Sequence, residues 1–255
     1  IATSCMEVQH DASCYDTGMV TIIEVMGRHA GWLTAAAALA NYAGAGPDLI
    51  YLPEVDFNME NFLNDVEKRY NATGKCLVVV SEGIHDEYGK FISEAKTNGN
   101  DGFGHAQLGG LANKLAEVVR ERVPSAKVRA IEPSLLQRCA THLASTTDAM
   151  EAYLAGKTAV QAAVNGDTDK MVAFERNDLY GQYVCNTKLL PLESVANFER
   201  KVPREWINAA GNGIERAFID YALPLIQGET GMKTVQALPR FARLRKVLAK
   251  PVSEL

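Results

Sequence analysis

The chain has 255 residues, is 47% hydrophobic and carries a formal net charge of −5. That length can bury a large core as one big domain or two lobes, and the acidic balance excludes a general nucleic-acid binder, which needs a basic face. No run approaches the ~20 apolar residues of a membrane span, so no membrane partner is expected and the cytoplasm is the expected compartment.

The first residues, IATSCMEVQHDASCYD, read as a helix with Ile1, Cys5, Met6 and Val8 on its apolar side. A helix with no N-cap before it, in a chain that starts with Ile, predicts a C-terminal fragment of something longer. VTIIEV (20–25) is a buried strand, and HAGWLTAAAALANYAGA a helix starting near His29 and stopped by Gly44, Gly46 and Pro47. DLIYLPE (48–54) is a second strand. Residues 57–72 form an amphipathic helix with Phe62, Leu63, Val66 and Tyr70 inward. KCLVVVSEG (75–83) is a third strand, apolar almost throughout, as suits a parallel sheet covered on both faces. A Gly-, Asn- and Asp-rich loop spans 84–106. A helix (108–122), a strand (126–132), two helices (145–155 and 157–165) and two short strands (170–176 and 182–190) follow. Helices are expected near 192–199, 204–209 and 213–222, and RFARLRKVLAK at the end reads as a basic docking tail. This βαβα order predicts an α/β fold, a mostly parallel sheet sandwiched by helices, with ligands beyond the C-terminal ends of the strands.

Several familiar signals fail. Ala155-Gly156-Lys157-Thr158 has the tail of a P-loop, but Glu151 stands where the first glycine belongs and no strand feeds it, so it reads as an inter-helix turn. Gly44-Ala45-Gly46 lacks a third glycine, Leu49 taking that position, and reads as a helix stop. The five histidines have no metal-ligand spacing, and five scattered cysteines without CxxC suit reduced thiols. Asn71-Ala72-Thr73 is a glycosylation triplet of the kind that arises by chance.

The strand ends are different. Met26-Gly27-Arg28 closes the first strand, Ser81-Glu82-Gly83 the third, and Arg129 lies in the strand that runs to Gln137-Arg138. Glycine at 27 lets the backbone approach a ligand, a helix starting near His29 would aim free N–H groups at an anion, and Arg28 adds a forked donor suited to phosphate.

EVMGRHAGW resembles the sugar-binding signature of the phosphofructokinases, VVVSEG resembles that family's glutamate-bearing strand, and Arg129 with Gln137-Arg138 keeps its spacing of two phosphate-binding arginines. LLQRCATHLASTTDAMEA and EWINAAGNGIERAFIDYALPLIQGE resemble the pyrophosphate-dependent branch. The resemblance implies a sugar-phosphate lobe over 1–137, a returning part of the donor lobe over 138–199, and a segment, 200–255, packing back on the first. It implies transfer from pyrophosphate to the 1-hydroxyl of fructose 6-phosphate in glycolysis, with Mg²⁺, by a homo-oligomer, dimer or tetramer. Met26 and Gly27 would line the sugar, Arg28 would lie at the transferring phosphoryl group, and Glu82 would accept from sugar hydroxyls. Arg138 would bind the 6-phosphate, joined by Arg129 across a subunit boundary.

Met19 stands where short members have an arginine, and Leu135 where they have a histidine. The family's Thr-Ile-Asp-Asn-Asp base motif and Gly-Gly-Asp donor segment do not occur in the 255 residues, so both are expected upstream and the chain alone is expected to be inactive. An ATP-dependent enzyme of the same family, or a non-catalytic regulatory subunit that keeps the sugar site, are the alternatives.

Overall fold

The computed structural model describes residues 1–93, 109–179, 181–243 and 245–247. Four strands, β1 (Met19–Val25), β2 (Leu49–Tyr51), β3 (Lys75–Ser81) and β4 (Lys127–Ile131), form a parallel sheet in the order β2-β3-β1-β4. All seven residues of β1 are buried, because both faces of the sheet are covered. On one face Ile23, Val25, Ile50 and Val79 meet α1 (Ala2–Ser13) and the short helices α2 (Trp32–Ala35) and α3 (Ala38–Tyr42). On the other, Val20, Ile22, Val78 and Val80 meet α4 (Met59–Thr73) and α5 (Leu111–Arg122). Period-2 alternation thus disappears from the sequence for a packing reason.

α4 forms where its capping residues dictate. Asn58 Oδ1 accepts the Asn61 N–H at 3.0 Å, and Gly74 ends the helix in the left-handed region at φ 72°. The alanine-rich stretch does not form the single helix expected from His29. It starts only at Trp32 and breaks between α2 and α3, where the N–H groups of Ala37 and Leu39 reach back three residues to Thr34 and Ala36. Four alanines there, Ala35, Ala37, Ala38 and Ala40, are almost wholly buried, so close packing on the sheet overrides helix propensity.

Beyond the sheet, α6 (Thr146–Val164) is one continuous helix, capped by Ser145 Oγ accepting from the Asp148 N–H, rather than the two predicted. Its Gly156 costs only about 1 kcal/mol against alanine, too little to break 19 residues without a proline. The P-loop-like tetrapeptide is helix interior, not a turn. α6 packs against an antiparallel hairpin, β5 (Lys170–Leu179) with β6 (Gln182–Pro191). The helices expected near 192–199 and 204–209 shrink to 3₁₀ turns at 192–194 and 204–206, each following a proline. α7 (Arg216–Ala222) then returns Phe218 and Ile219 to the first face of the sheet, beside Val202 and Ile207. Trp32 locks that return, packing edge-to-face against Trp206 and tilted against Phe218 and Tyr221, and donating from Nε1 to the Arg200 carbonyl at 2.6 Å.

The loop expected over 84–106 is described only to residue 93, and residue 108 of the predicted fourth helix lies outside the described residues. In the basic tail, residues 240–243 and 245–247 are exposed and form no helix, while 244 and 248–250 lie outside the described residues. No helix among the described residues is long and apolar enough to cross a membrane.

Phe62 is fully buried and meets Tyr51 and Phe57 with ring centroids 5.5 Å apart. Phe62→Ala is expected to cost about 3–5 kcal/mol, read as a lowered urea midpoint. A cost below about 1 kcal/mol would remove α4 from the core.

Candidate functional site

β1 and β3 are neighbours, with Val25 opposite Ser81, yet the chain leaves β1 for one face of the sheet and β3 for the other. Two adjacent strands whose exits diverge leave a crevice at their C-terminal ends. Met26-Gly27-Arg28 and Glu82-Gly83 border it.

The two strand ends are knitted by backbone. The Glu82 N–H donates to the Val25 carbonyl at 2.9 Å, and the Gly83 N–H to the Gly27 carbonyl at 3.1 Å. The Ser81 hydroxyl also donates to the Gly27 carbonyl, and the Gly27 N–H donates to Glu82 Oε1 at 3.1 Å. A Cβ on Gly83 would fall inside the carbonyl group of Arg28. One on Gly27, at φ 154°, would lie 2.8 Å from the Ala30 carbonyl oxygen and 2.9 Å from Ser81 Oγ. Both glycines are demanded by close approach.

A third segment joins from the far side of β1. After β4 the chain makes a 3₁₀ turn over Ser134–Arg138, and the Gln137 Oε1 accepts the Met26 N–H at 2.9 Å. Gln137 Nε2 donates to the Ser134 carbonyl at 2.9 Å, bracing a turn whose Ser134 has φ 47°. Arg138, exposed, is the next residue. Met26, Gly27, Arg28, Glu82 and the turn bearing Arg138 are therefore brought to one edge. Arg129 is not: it sits mid-strand opposite Thr21, and its Nη1 pairs with Asp11 of α1 at 3.2 Å.

The helix-start reading is corrected. The Gly31 N–H, just before α2, donates to Glu54 Oε1 at 2.9 Å, and the same oxygen takes the Val202 N–H at 2.9 Å. A carboxylate of this chain thus takes the position foreseen for an anion, and α2 is a single turn. Glu54 Oε2 is buried without a partner among the described residues.

Three residues escaped the sequence reading: Gln137, Glu54 and Glu24. Glu54 was findable, since it is the polar residue closing the strand 48–54. Gln137 was visible only as a neighbour of Arg138, because its partner is 111 residues away. Glu24 hid inside an apolar strand; its Oε2 accepts the Ala112 N–H at the start of α5 at 2.8 Å. Burial pushes its carboxyl up to about 7, and the charges of Glu132 and Glu82 push the same way against the pull of the Ala112 and Leu111 N–H groups.

A cavity of about 360 Å³ lies at the opposite ends of the strands, bordered by His10, Met19, Asp48, Arg69 and Lys75. Its cations are already engaged, Arg69 by Asp48 at 2.7 Å and Lys75 by the carbonyls of Tyr15 and Thr17. Among the described residues no group of three or more His, Cys, Asp or Glu could hold a metal ion.

The family model described as Phosphofructokinase matches residues 1–163. A pyrophosphate–fructose 6-phosphate 1-phosphotransferase of Halomonas elongata is 40% identical over 250 residues, covering 96% of this chain and 58% of the relative. One of the same name from Xanthomonas campestris pv. campestris is 42% identical, covering 96% and 59%. The crystal structure of a pyrophosphate-dependent phosphofructokinase from Marinobacter aquaeolei superposes with a TM-score of 0.82 at 36% identity, covering 98% of this chain and 59% of that one. The chain thus spans somewhat under three-fifths of these relatives.

An unfolded chain loses the Glu24 proton at the ordinary value near 4.5, whereas the folded protein holds it to about 7. The folded state therefore binds more protons across that window, so this contribution to stability is full below about pH 4.5 and lost as pH rises to about 7. Glu24→Gln keeps an oxygen for the Ala112 N–H and cannot ionise. Its melting temperature is expected to gain on wild type progressively from pH 5 to pH 8 in a calorimetric series. Parallel curves would show that Glu24 does not titrate in this window.

Proposed function

The chain belongs to the phosphofructokinase family, and from that premise we propose that the whole protein transfers a phosphoryl group from pyrophosphate to the 1-hydroxyl of fructose 6-phosphate. The observation that carries this reading is the meeting of Met26-Gly27-Arg28, Glu82 and the turn bearing Arg138 at the C-terminal edge of one parallel sheet. The similarity to proteins named for the pyrophosphate reaction supports the donor.

In this reading the sugar lies over the Gly27 backbone. A carboxylate offers about four lone-pair sites, of which the Gly27 N–H uses one on Glu82, so the side chain can accept from sugar hydroxyls. Arg28 meets the charge that develops on the transferring group, where a fixed donor acts most strongly. Arg138 holds the 6-phosphate in a charge-assisted pair. Arg129 lies on β4, an edge strand, and its exposed ion pair with Asp11 is of a kind worth little, so it is available to serve a neighbouring copy in a dimer or tetramer.

The base and the donor-binding segment belong, in this reading, to sequence outside these 255 residues. Mg²⁺ would, in this reading, be held by that sequence, since no group of three or more His, Cys, Asp or Glu among the described residues could hold a metal ion. Residues 138–199 would complete the donor lobe. α6 buries none of its residues and leaves Tyr153 70% and Val164 81% exposed, apolar surface that suits cover by more chain. We assign the protein to the cytoplasm, supported by five cysteines that are all unpaired thiols.

A coupled aldolase assay on the whole protein tests this. Pyrophosphate-driven turnover of fructose 6-phosphate is expected, and its absence would overturn the reading. Arg28→Ala is expected to lower kcat roughly 100-fold or more. Arg138→Ala is expected to raise KM for fructose 6-phosphate about 10-fold or more with KM for pyrophosphate little changed. Equal loss of both substrates would reassign the arginine.

A further inference from the structure

We propose that Gln137 is a positioning residue for the sugar-phosphate site, its side-chain amide holding the Met26–Arg28 turn and Arg138 in one fixed relation. The inference rests on the sugar-phosphate reading above and adds a residue to it.

The geometry is specific. Gln137 Oε1 accepts the Met26 N–H at 2.9 Å across 111 residues of sequence. That N–H follows the last residue of β1 and has no strand partner: the β1–β4 pairing ends at Ile23 opposite Ile131, and the β1–β3 pairing at Val25 opposite Ser81. The second end of the same amide, Nε2, donates to the Ser134 carbonyl at 2.9 Å. Gln137 thus fastens its own turn internally with one end and to the Met26 backbone with the other. Arg138 follows directly in that turn, so its Cα can shift against Met26 only if one of these bonds breaks.

The turn needs such a brace. Ser134 is held at φ 47°, a conformation L-residues adopt reluctantly, and Leu135 and Leu136 within the turn are more than half exposed, so apolar burial does not hold it. Without the amide, the arginine would be carried on a loosely held turn. A phosphate and a sugar ring are joined covalently in one substrate at a bounded distance, so the groups that grip them must keep a matching spacing to act together. One cross-link to Met26 and one brace within the turn, both from the same side chain, supply that spacing.

The test uses the whole protein and Gln137→Met, which keeps length and bulk and removes both bonds. Expected is a rise of about 5- to 10-fold in KM for fructose 6-phosphate, the scale of one or two lost hydrogen bonds. The kcat, KM for pyrophosphate and melting temperature should be nearly unchanged. A structural role alone would not give that split. The second arm is a double-mutant cycle with Arg138→Ala. If Gln137 works by aiming the arginine, the Gln137→Met effect should shrink to under 2-fold in that background, because there is no guanidinium left to aim. Unchanged KM for fructose 6-phosphate in Gln137→Met, equal loss for both substrates, or full additivity in the cycle would each overturn the proposal while the wild type remains active. A wild type without turnover of fructose 6-phosphate would overturn the functional reading, and this proposal with it.

Discussion

The contact on which the rest depends is between two backbones. β1 and β3 end side by side, and the carbonyl of Arg28 lies where a side chain on residue 83 would have to be. Because Gly83 has none, the two chain ends can exchange hydrogen bonds beyond the sheet, from Glu82 to Val25 and from Gly83 to Gly27. That extension holds Glu82 against the Gly27 N–H and leaves the Met-Gly-Arg turn standing over the crevice. Everything else at this edge is arranged around a junction that leaves no room for a Cβ on either side.

How far this was legible follows from the range of each interaction. The buried strands could be read because both faces of the sheet are covered, which forces runs such as VTII and LVVV. α4 could be read because its cap, its apolar stripe and its stop at Gly74 all lie within the helix and its two flanking residues. The alanine-rich helix is not legible locally, because its N-terminal end is decided by Glu54, 23 residues away, and its break by close packing on the sheet. Gly156 suggests a helix end in the sequence, yet nothing beside it can end α6. The polar residues at the strand ends point to the edge where Met26-Gly27-Arg28, Glu82 and the turn bearing Arg138 meet. The cross-links that set their relation, from Gln137 to Met26 and from Glu54 to Val202, join residues 111 and 148 apart and leave no local signal.

Charge adds a further constraint. Three glutamates lie near the C-terminal ends of the strands, Glu24 in β1, Glu82 after β3 and Glu132 after β4, and the charges of Glu82 and Glu132 raise the cost of ionising the buried Glu24. Each is occupied by a donor of this chain: Ala112 for Glu24, Gly27 for Glu82, and the Asn113 amide for Glu132 at 2.7 Å. Such an edge suits the hydroxyl face of a sugar, which offers donors to carboxylates, far better than it suits an anion.

In the proposed reading, a phosphorylated ligand lies asymmetrically here. Its hydroxyls can lie toward Glu82, but its phosphate has to be kept off the glutamates and met from the opposite side by arginine, because a dianion beside carboxylates at a few ångströms would be strongly repelled. The turn after β4 is where the chain puts a guanidinium within one residue of a side chain bonded to Met26. In that reading, the separation between the glutamates at the strand ends and the arginine on that turn would act as a ruler. A ligand too short to span it leaves the arginine unused, and an anion without hydroxyls gains only half of the site. In that reading, discrimination comes from the separation of the two charge signs, which is set by the backbone junction at one end and the braced turn at the other.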